Sequence, residues 1–145
     1  MTLIRTGQPV VEIQTEAVAL RVLVIDDERA VREGLRRLIT GGLSHPTSVR
    51  VAATPAEALH EAQTMKPHLA VLDLDLAGED GLALIPSLAR SCRVLVLTSH
   101  GDATICAQAL ALGAGAFVEK HEPASRLLAQ LDALALAAGL ATPSH

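Results

Sequence analysis

The sequence predicts a doubly wound α/β domain built on a five-stranded parallel sheet. Two observations carry that reading. Five short apolar runs alternate with helical patterns, and the runs are continuously apolar rather than alternating. A strand covered by helices on both faces has no polar side, so it reads as an unbroken apolar run. The links between the elements are also short, which suits right-handed crossovers.

The elements follow in order. Residues 21–25 form a strand that ends at Asp26 and Asp27. Residues 28–40 are helical, with Val31, Leu35, Leu38 and Ile39 on one face, and Gly41 and Gly42 are expected to stop the helix. A strand over 48–52 is followed by three agreeing start signals: Thr54 can cap, Pro55 suits a first turn, and Glu57 can complete a capping box. Pro67 closes that helix. A strand over 69–73 leads into a polar, glycine-containing turn at 77–81, then a short helix over 82–89 disturbed by Pro86. Residues 93–97 form a strand ending in Thr98 and Ser99. A helix runs over 101–112, a short strand over 116–118 ends near Lys120, and Pro123 opens a last helix reaching about Ala138. The folded domain is expected over 20–140, with an arm over 1–19 and a tail over 141–145. Val11 and Ile13, flanking Glu12, are the arm's one strand-like pattern.

Composition narrows the function. The chain has 145 residues, is 50% hydrophobic and carries a formal charge of −4. It can therefore bury a core, and it lacks the bulk positive charge of a nonspecific DNA binder. Phe117 is its single aromatic ring, which argues against stacking platforms for nucleic acid or flavin. Cys92 and Cys106 are too few for a disulfide scaffold and fit reduced thiols in a cytoplasmic protein. Gln8, Glu12, Gln14 and Glu16 break any signal-peptide core. The apolar stretch 127–140 is too short, and interrupted by Asp132, to span a membrane.

In an open α/β sheet, chemistry sits beyond the carboxyl ends of the strands. This sequence places Asp26, Asp27, Asp73, Thr98 and Lys120 there. Taken singly, each has an ordinary explanation as a turn residue, cap or surface cation. Together they describe a site. Three crowded carboxylates repel one another unless a cation is present, and Mg²⁺ prefers oxygen ligands shared with a phosphate. A lysine and a hydroxyl suit the peripheral oxygens of a phosphoryl group, and a carboxylate can itself be the attacking group.

These residues resemble the receiver domain of two-component response regulators over about 120 residues. The resemblance rests on the pair Asp26 and Asp27, on Asp73 followed by Asp80 and Gly81, on Thr98 before Ser99, and on Lys120. It implies the CheY-like, flavodoxin-like strand order 2-1-3-4-5. It implies phosphorylation on Asp73 with Mg²⁺ held by Asp26, Asp27, Asp73 and the backbone carbonyl of Asp75. Thr98 and Phe117 take the family's switch positions, and Lys120 pairs with the phosphoryl group. The chain departs from the family in having Ala77 where a proline usually lies four residues after the acceptor. It also has His121 where a proline usually follows the lysine. His100 and Asp75 occupy positions that tune phosphoryl lifetime.

The expected role is a self-directed phosphoryl acceptor rather than an enzyme, apparently a stand-alone receiver. Its implied partners are a histidine kinase or histidine phosphotransfer protein and a downstream protein target, with no direct DNA binding and no membrane. Arg29, Arg32, Arg36 and Arg37 form either a solvated cationic face or the donor's docking surface. On the helix over 102–112, Ile105, Ala109 and Leu112 are expected inward. Cys106 and Leu110 form an apolar strip compatible with a homodimer. Three rivals stand beside this reading. Asp73-Leu74-Asp75 resembles the nucleophile motif of haloacid-dehalogenase-like phosphatases, which would need Glu122 or Asp132 as a further acid. A phosphorylation-independent pseudo-receiver would keep the fold alone. A flavodoxin-like cofactor protein would need a phosphate loop after the first strand, and none is present.

Overall fold

The computed structural model describes residues 19–99 and 101–139. The strand-like pattern at Val11 and Ile13, His100 and the tail expected over 141–145 lie outside them. The elements are β1 (Leu20–Ile25), α1 (Arg29–Gly42), β2 (Thr47–Ala52), α2 (Pro55–Met65), β3 (Leu69–Leu72), β4 (Asp75–Leu76), β5 (Glu79–Asp80), α3 (Ile85–Ala89), β6 (Arg93–Thr98), α4 (Ala103–Ala111), β7 (Ala116–Glu119) and α5 (Ala124–Ala137). A five-stranded parallel sheet has the order β2-β1-β3-β6-β7, which is the 2-1-3-4-5 pattern of its main strands.

The unbroken apolar runs have a direct structural cause. On β1, Leu20, Val22 and Val24 enter one core cluster with Ile39 of α1 and Leu127, Leu131 and Leu134 of α5. The intervening Leu23 and Ile25 enter a second cluster with Ala58 of α2, Ile85 and Leu88 of α3, and Ala109 of α4. Period-two geometry thus sends alternate apolar residues of one strand into two different cores. Among the described residues no helix is long and apolar enough to cross a membrane.

Several local expectations need correction. Gly41 and Gly42 do not stop α1 but form its last turn. Glycine weakens a helix only locally. At Gly42 the missing side chain leaves room for α5, since a Cβ there would lie 2.7 Å from Leu128 Cδ1. Pro86 does not disturb a continuous helix. A 3-10 turn over Gly81–Leu84 comes first, and Pro86 sits in the first turn of α3, where its missing N–H costs nothing. Leu112 does not face the core. The helix ends at Ala111, and Leu112, as its C-cap, is 39% exposed.

The turn after β3 is more ordered than its polar sequence suggests. β4 and β5 pair antiparallel, with Leu76 opposite Glu79. The two residues between them, Ala77 and Gly78, have φ values of 55° and 84°. Two successive positive φ angles mark the tight hairpin turn whose twist matches its strands. Proline, locked near −65°, cannot take Ala77's place in this conformation. Thr54 Oγ1 accepts the Glu57 N–H at 3.1 Å, as expected. Glu57 returns its carboxylate to the N–H of Ala53, one residue before the cap.

Candidate functional site

The sheet brings the expected residues to one edge. β1 and β3 are neighbours, so Asp26 and Asp73 leave adjacent strand ends. The Asp73 N–H donates to Ile25 O at 2.9 Å, and the Asp26 N–H donates to Ala52 O at 3.1 Å. β6 lies beside β3 and ends at Thr98, which is buried. The Lys120 N–H donates to Thr98 O at 2.9 Å, carrying the β6–β7 pairing one residue past Glu119 and fixing where the lysine side chain starts.

The side chains converge. Oxygens of Asp26, Asp27 and Asp73 all lie within 4.8 Å of one another. Lys120 Nζ donates to Asp26 Oδ2 at 2.9 Å and to Asp73 Oδ2 at 3.2 Å. Asp26 Oδ1 accepts the Glu28 N–H at 2.9 Å, and Asp73 Oδ1 accepts the Asp75 N–H at 3.2 Å. Asp27 Oδ2 accepts the Ala77 N–H at 3.0 Å, joining the acidic pair to the β4–β5 turn.

Electrostatics make this pocket hungry for positive charge. Asp26 and Asp73 are both buried. Ionised carboxylates within 4.8 Å of each other repel by at least about 3.5 kcal/mol at an effective dielectric of about 20. Burial lifts the Asp73 carboxyl above its ordinary range; the Asp75 N–H and Lys120 pull it down, while Asp26 pushes it further up. Burial works against the Lys120 ammonium too, but its bonds and charge pairing with Asp26 and Asp73 outweigh that and raise its pKa. Three carboxylates and one ammonium sum to −2, the charge a divalent hard cation balances.

One contributor escaped the sequence reading. Arg32 was expected on a solvated or docking face. It donates from Nη1 to Asp26 O at 2.9 Å and so braces the backbone of the acidic pair. Its place one turn into α1 was the available signal. At Gly81 a Cβ would lie 2.7 Å from Leu74 Cα and 2.8 Å from Asp73 O, so only glycine lets the 3-10 turn close against the loop carrying Asp73. Phe117 is half-buried, and its ring abuts Gly101, where a Cβ would lie 2.6 Å from Cε1.

The acids that a haloacid-dehalogenase-like phosphatase would need are occupied elsewhere. Glu122 accepts the Glu119 N–H at 2.7 Å and pairs with Arg126. Asp132 accepts the N–H and hydroxyl of Ser44, in the α1–β2 link at the far edge of the sheet. His121 is 73% exposed in its side chain and lies 3.5 Å from Glu119.

Comparison with known proteins agrees with this geometry. A family model described as the response regulator receiver domain matches residues 22–132. A Pseudomonas aeruginosa protein, provisionally named a transcriptional regulator, is 40% identical over 123 residues, which is 82% of this chain and 57% of that protein. The Staphylococcus aureus transcriptional regulatory protein HptR is 34% identical over 83 residues, 57% of this chain and 33% of HptR. The chain thus spans about half or less of the length of these relatives. A solved response regulator from Burkholderia pseudomallei, described with a phosphorylated aspartic acid, a calcium ion and citrate, superposes with a TM-score of 0.70. It is 32% identical and covers 83% of this chain and 69% of that one.

Proposed function

Because the chain belongs to the response regulator receiver domain family, we propose that it accepts a phosphoryl group on Asp73, with Mg²⁺ bound among the neighbouring acids. A receiver domain is a signalling module, and its family implies a kinase or phosphotransfer partner. The observation that carries the proposal is the pair of bonds from Lys120 Nζ to Asp26 and Asp73 beside Asp27. The three clustered acids fit a hard divalent cation. Asp26, Asp27, Asp73 and the Asp75 carbonyl are its proposed ligands. Bound Mg²⁺ would neutralise charge on phosphoryl oxygens.

The transfer step uses the chain's own groups. An Asp73 carboxylate oxygen attacks phosphorus, a P–O bond to Asp73 forms, and the bond to the donor's leaving group breaks. Lys120 holds positive charge beside the phosphoryl oxygens that carry the negative charge. The Thr98 hydroxyl is the group that would bond the new phosphoryl oxygen. Phe117, resting against Gly101 in the link between β6 and α4, would follow it and reshape the surface of α4, β7 and α5. The donor is a histidine kinase or histidine phosphotransfer protein, and the exposed Arg29 and Arg37 of α1 belong to its docking face. The reshaped surface would be read by a downstream protein target.

Acetyl phosphate with Mg²⁺, followed by intact mass measurement, tests this reading. One phosphoryl adduct is expected, absent in Asp73→Asn and absent when Mg²⁺ is chelated. An adduct retained by Asp73→Asn would move the acceptor elsewhere. No adduct from any small phosphodonor or cognate kinase would leave a phosphorylation-independent adaptor.

A further inference from the structure

A second cluster of charge lies at the opposite edge of the sheet, one strand length, roughly 17 Å, from the acidic pocket. A cleft there has a volume of about 570 Å³, and its walls carry Arg21, Lys66, His68, Arg90 and Arg93. They come from the start of β1, the ends of α2 and α3, the link before β3 and the start of β6. The chain has 16 acidic residues against 12 Lys and Arg, yet among the described residues no Asp or Glu lines this cleft. Among the described residues Lys66, Arg90 and Arg93 make no ion pair.

Helix capping explains part of this charge but not all of it. Arg21 Nε donates to Met65 O and Lys66 O, both at 2.9 Å, at the end of α2. The C-termini of α2, α3, α4 and α5 all reach this edge. At about −0.5 elementary charge each they supply about −2, against four full cations. His68 adds none: its Nδ1 accepts the Arg21 N–H at 2.9 Å, and burial and Arg21 keep its pKa low. Counted over its described lining, the cleft keeps a net charge of about +2.

We propose that this cleft binds the phosphate chain of a small oligophosphate, free or nucleoside-linked. Guanidinium forks bond phosphate oxygens two at a time, and the volume suits a compact ligand. Phe117, the chain's one Phe, Tyr or Trp ring, packs at the other edge against Gly101, and the cleft's imidazole, His68, is half-buried with Nδ1 tied to the Arg21 N–H, so the described lining offers cations far more than ring faces. Phosphate, rather than base, is what the lining can recognise. The inference is independent of the phosphoryl acceptor assigned above.

Titration calorimetry of the full chain tests it, with EDTA present so that no divalent ion can bridge phosphate to the acidic pocket. The probes are tripolyphosphate, ATP and adenosine. Saturable binding of tripolyphosphate and ATP is expected, with none of adenosine. Comparable affinities would mean that the phosphate chain alone is read, whereas ATP tighter by tenfold or more would identify a nucleotide as the source. Arg90→Ala/Arg93→Ala, both exposed positions, should lose at least tenfold. Arg50→Ala/Arg126→Ala, the same charge change elsewhere, should stay within twofold, with folding of both checked by far-UV circular dichroism. Failure of the unmodified chain to bind tripolyphosphate, or equal losses in the two double variants, would overturn the proposal.

Discussion

Replacing Lys120 with methionine tests the electrostatics of the acidic pocket while leaving Asp73 intact. Lys120 Nζ lies 2.9 Å from Asp26 and 3.2 Å from Asp73, whose side chains are 1% and 6% exposed. Removing one member of a buried ion pair costs about 3–5 kcal/mol, because the partner's charge is left uncompensated. The lysine side chain is 22% exposed, so screening favours the lower end, about 3 kcal/mol. At roughly 2–4 °C per kcal/mol for a chain of this size, metal-free Lys120→Met should melt about 6–12 °C below the unmodified protein near neutral pH. Two conditions should narrow the gap. Acid protonates the stranded carboxylates. Mg²⁺ returns positive charge to the same oxygens, and a hundredfold excess over its Kd adds about 2.7 kcal/mol. The variant should bind Mg²⁺ more tightly, since no ammonium competes. With no Trp or Tyr, the melt is followed by far-UV circular dichroism or calorimetry. A gap under about 2 °C, or one that neither acid nor Mg²⁺ changes, would refute the reasoning.

Three further outcomes follow from the same geometry. Gly81→Ala presses a Cβ on the backbone of Asp73 and Leu74, so urea unfolding should show a loss of roughly 1–3 kcal/mol and acetyl phosphate should label the variant more slowly; unchanged stability would mean the contact is relieved at no cost. Burial raises the Asp73 pKa in the fold above its unfolded value near 3.8, so the folded chain holds that proton to higher pH. Stability of the metal-free protein should therefore fall as pH rises from about 4 through the folded pKa. Asp73→Asn should flatten that fall in urea titrations with EDTA, and identical profiles would contradict it. Fluorine-labelled phenylalanine gives one resonance, from Phe117 alone. It should shift on treatment with acetyl phosphate and Mg²⁺ but not in Asp73→Asn, and a static signal would remove Phe117 from the switch.

The site was legible because a parallel sheet leaves little freedom. Once 21–25, 69–73, 93–97 and 116–118 are read as parallel strands, Asp26, Asp27, Asp73, Thr98 and Lys120 share one edge whatever the loops do. The core was legible for a related reason: Val22 and Val24 point one way and Leu23 and Ile25 the other, and both sides had to be apolar. What escaped depends on contacts distant in sequence. Nothing near Gly42 reveals that Leu128 will press against it. Leu112 fits the helical period, but the helix ends one residue earlier. Two-residue strands such as β4 and β5 carry no periodicity to detect. From the sequence the guanidinium of Arg32 reads as surface charge, because periodicity places a side chain on a face but not the reach of its tip.

Ala77 changes what the acidic pocket can report. Where relatives in the family usually carry proline, this chain has a backbone amide, and that N–H is spent on Asp27 Oδ2 at 3.0 Å. An ion held by the Asp27 carboxylate and the turn bonded to its Oδ2 would then draw on one side chain. Deuterium uptake at a single peptide group would thus register whether the pocket is filled, a built-in gauge that an imino acid at this position could not provide.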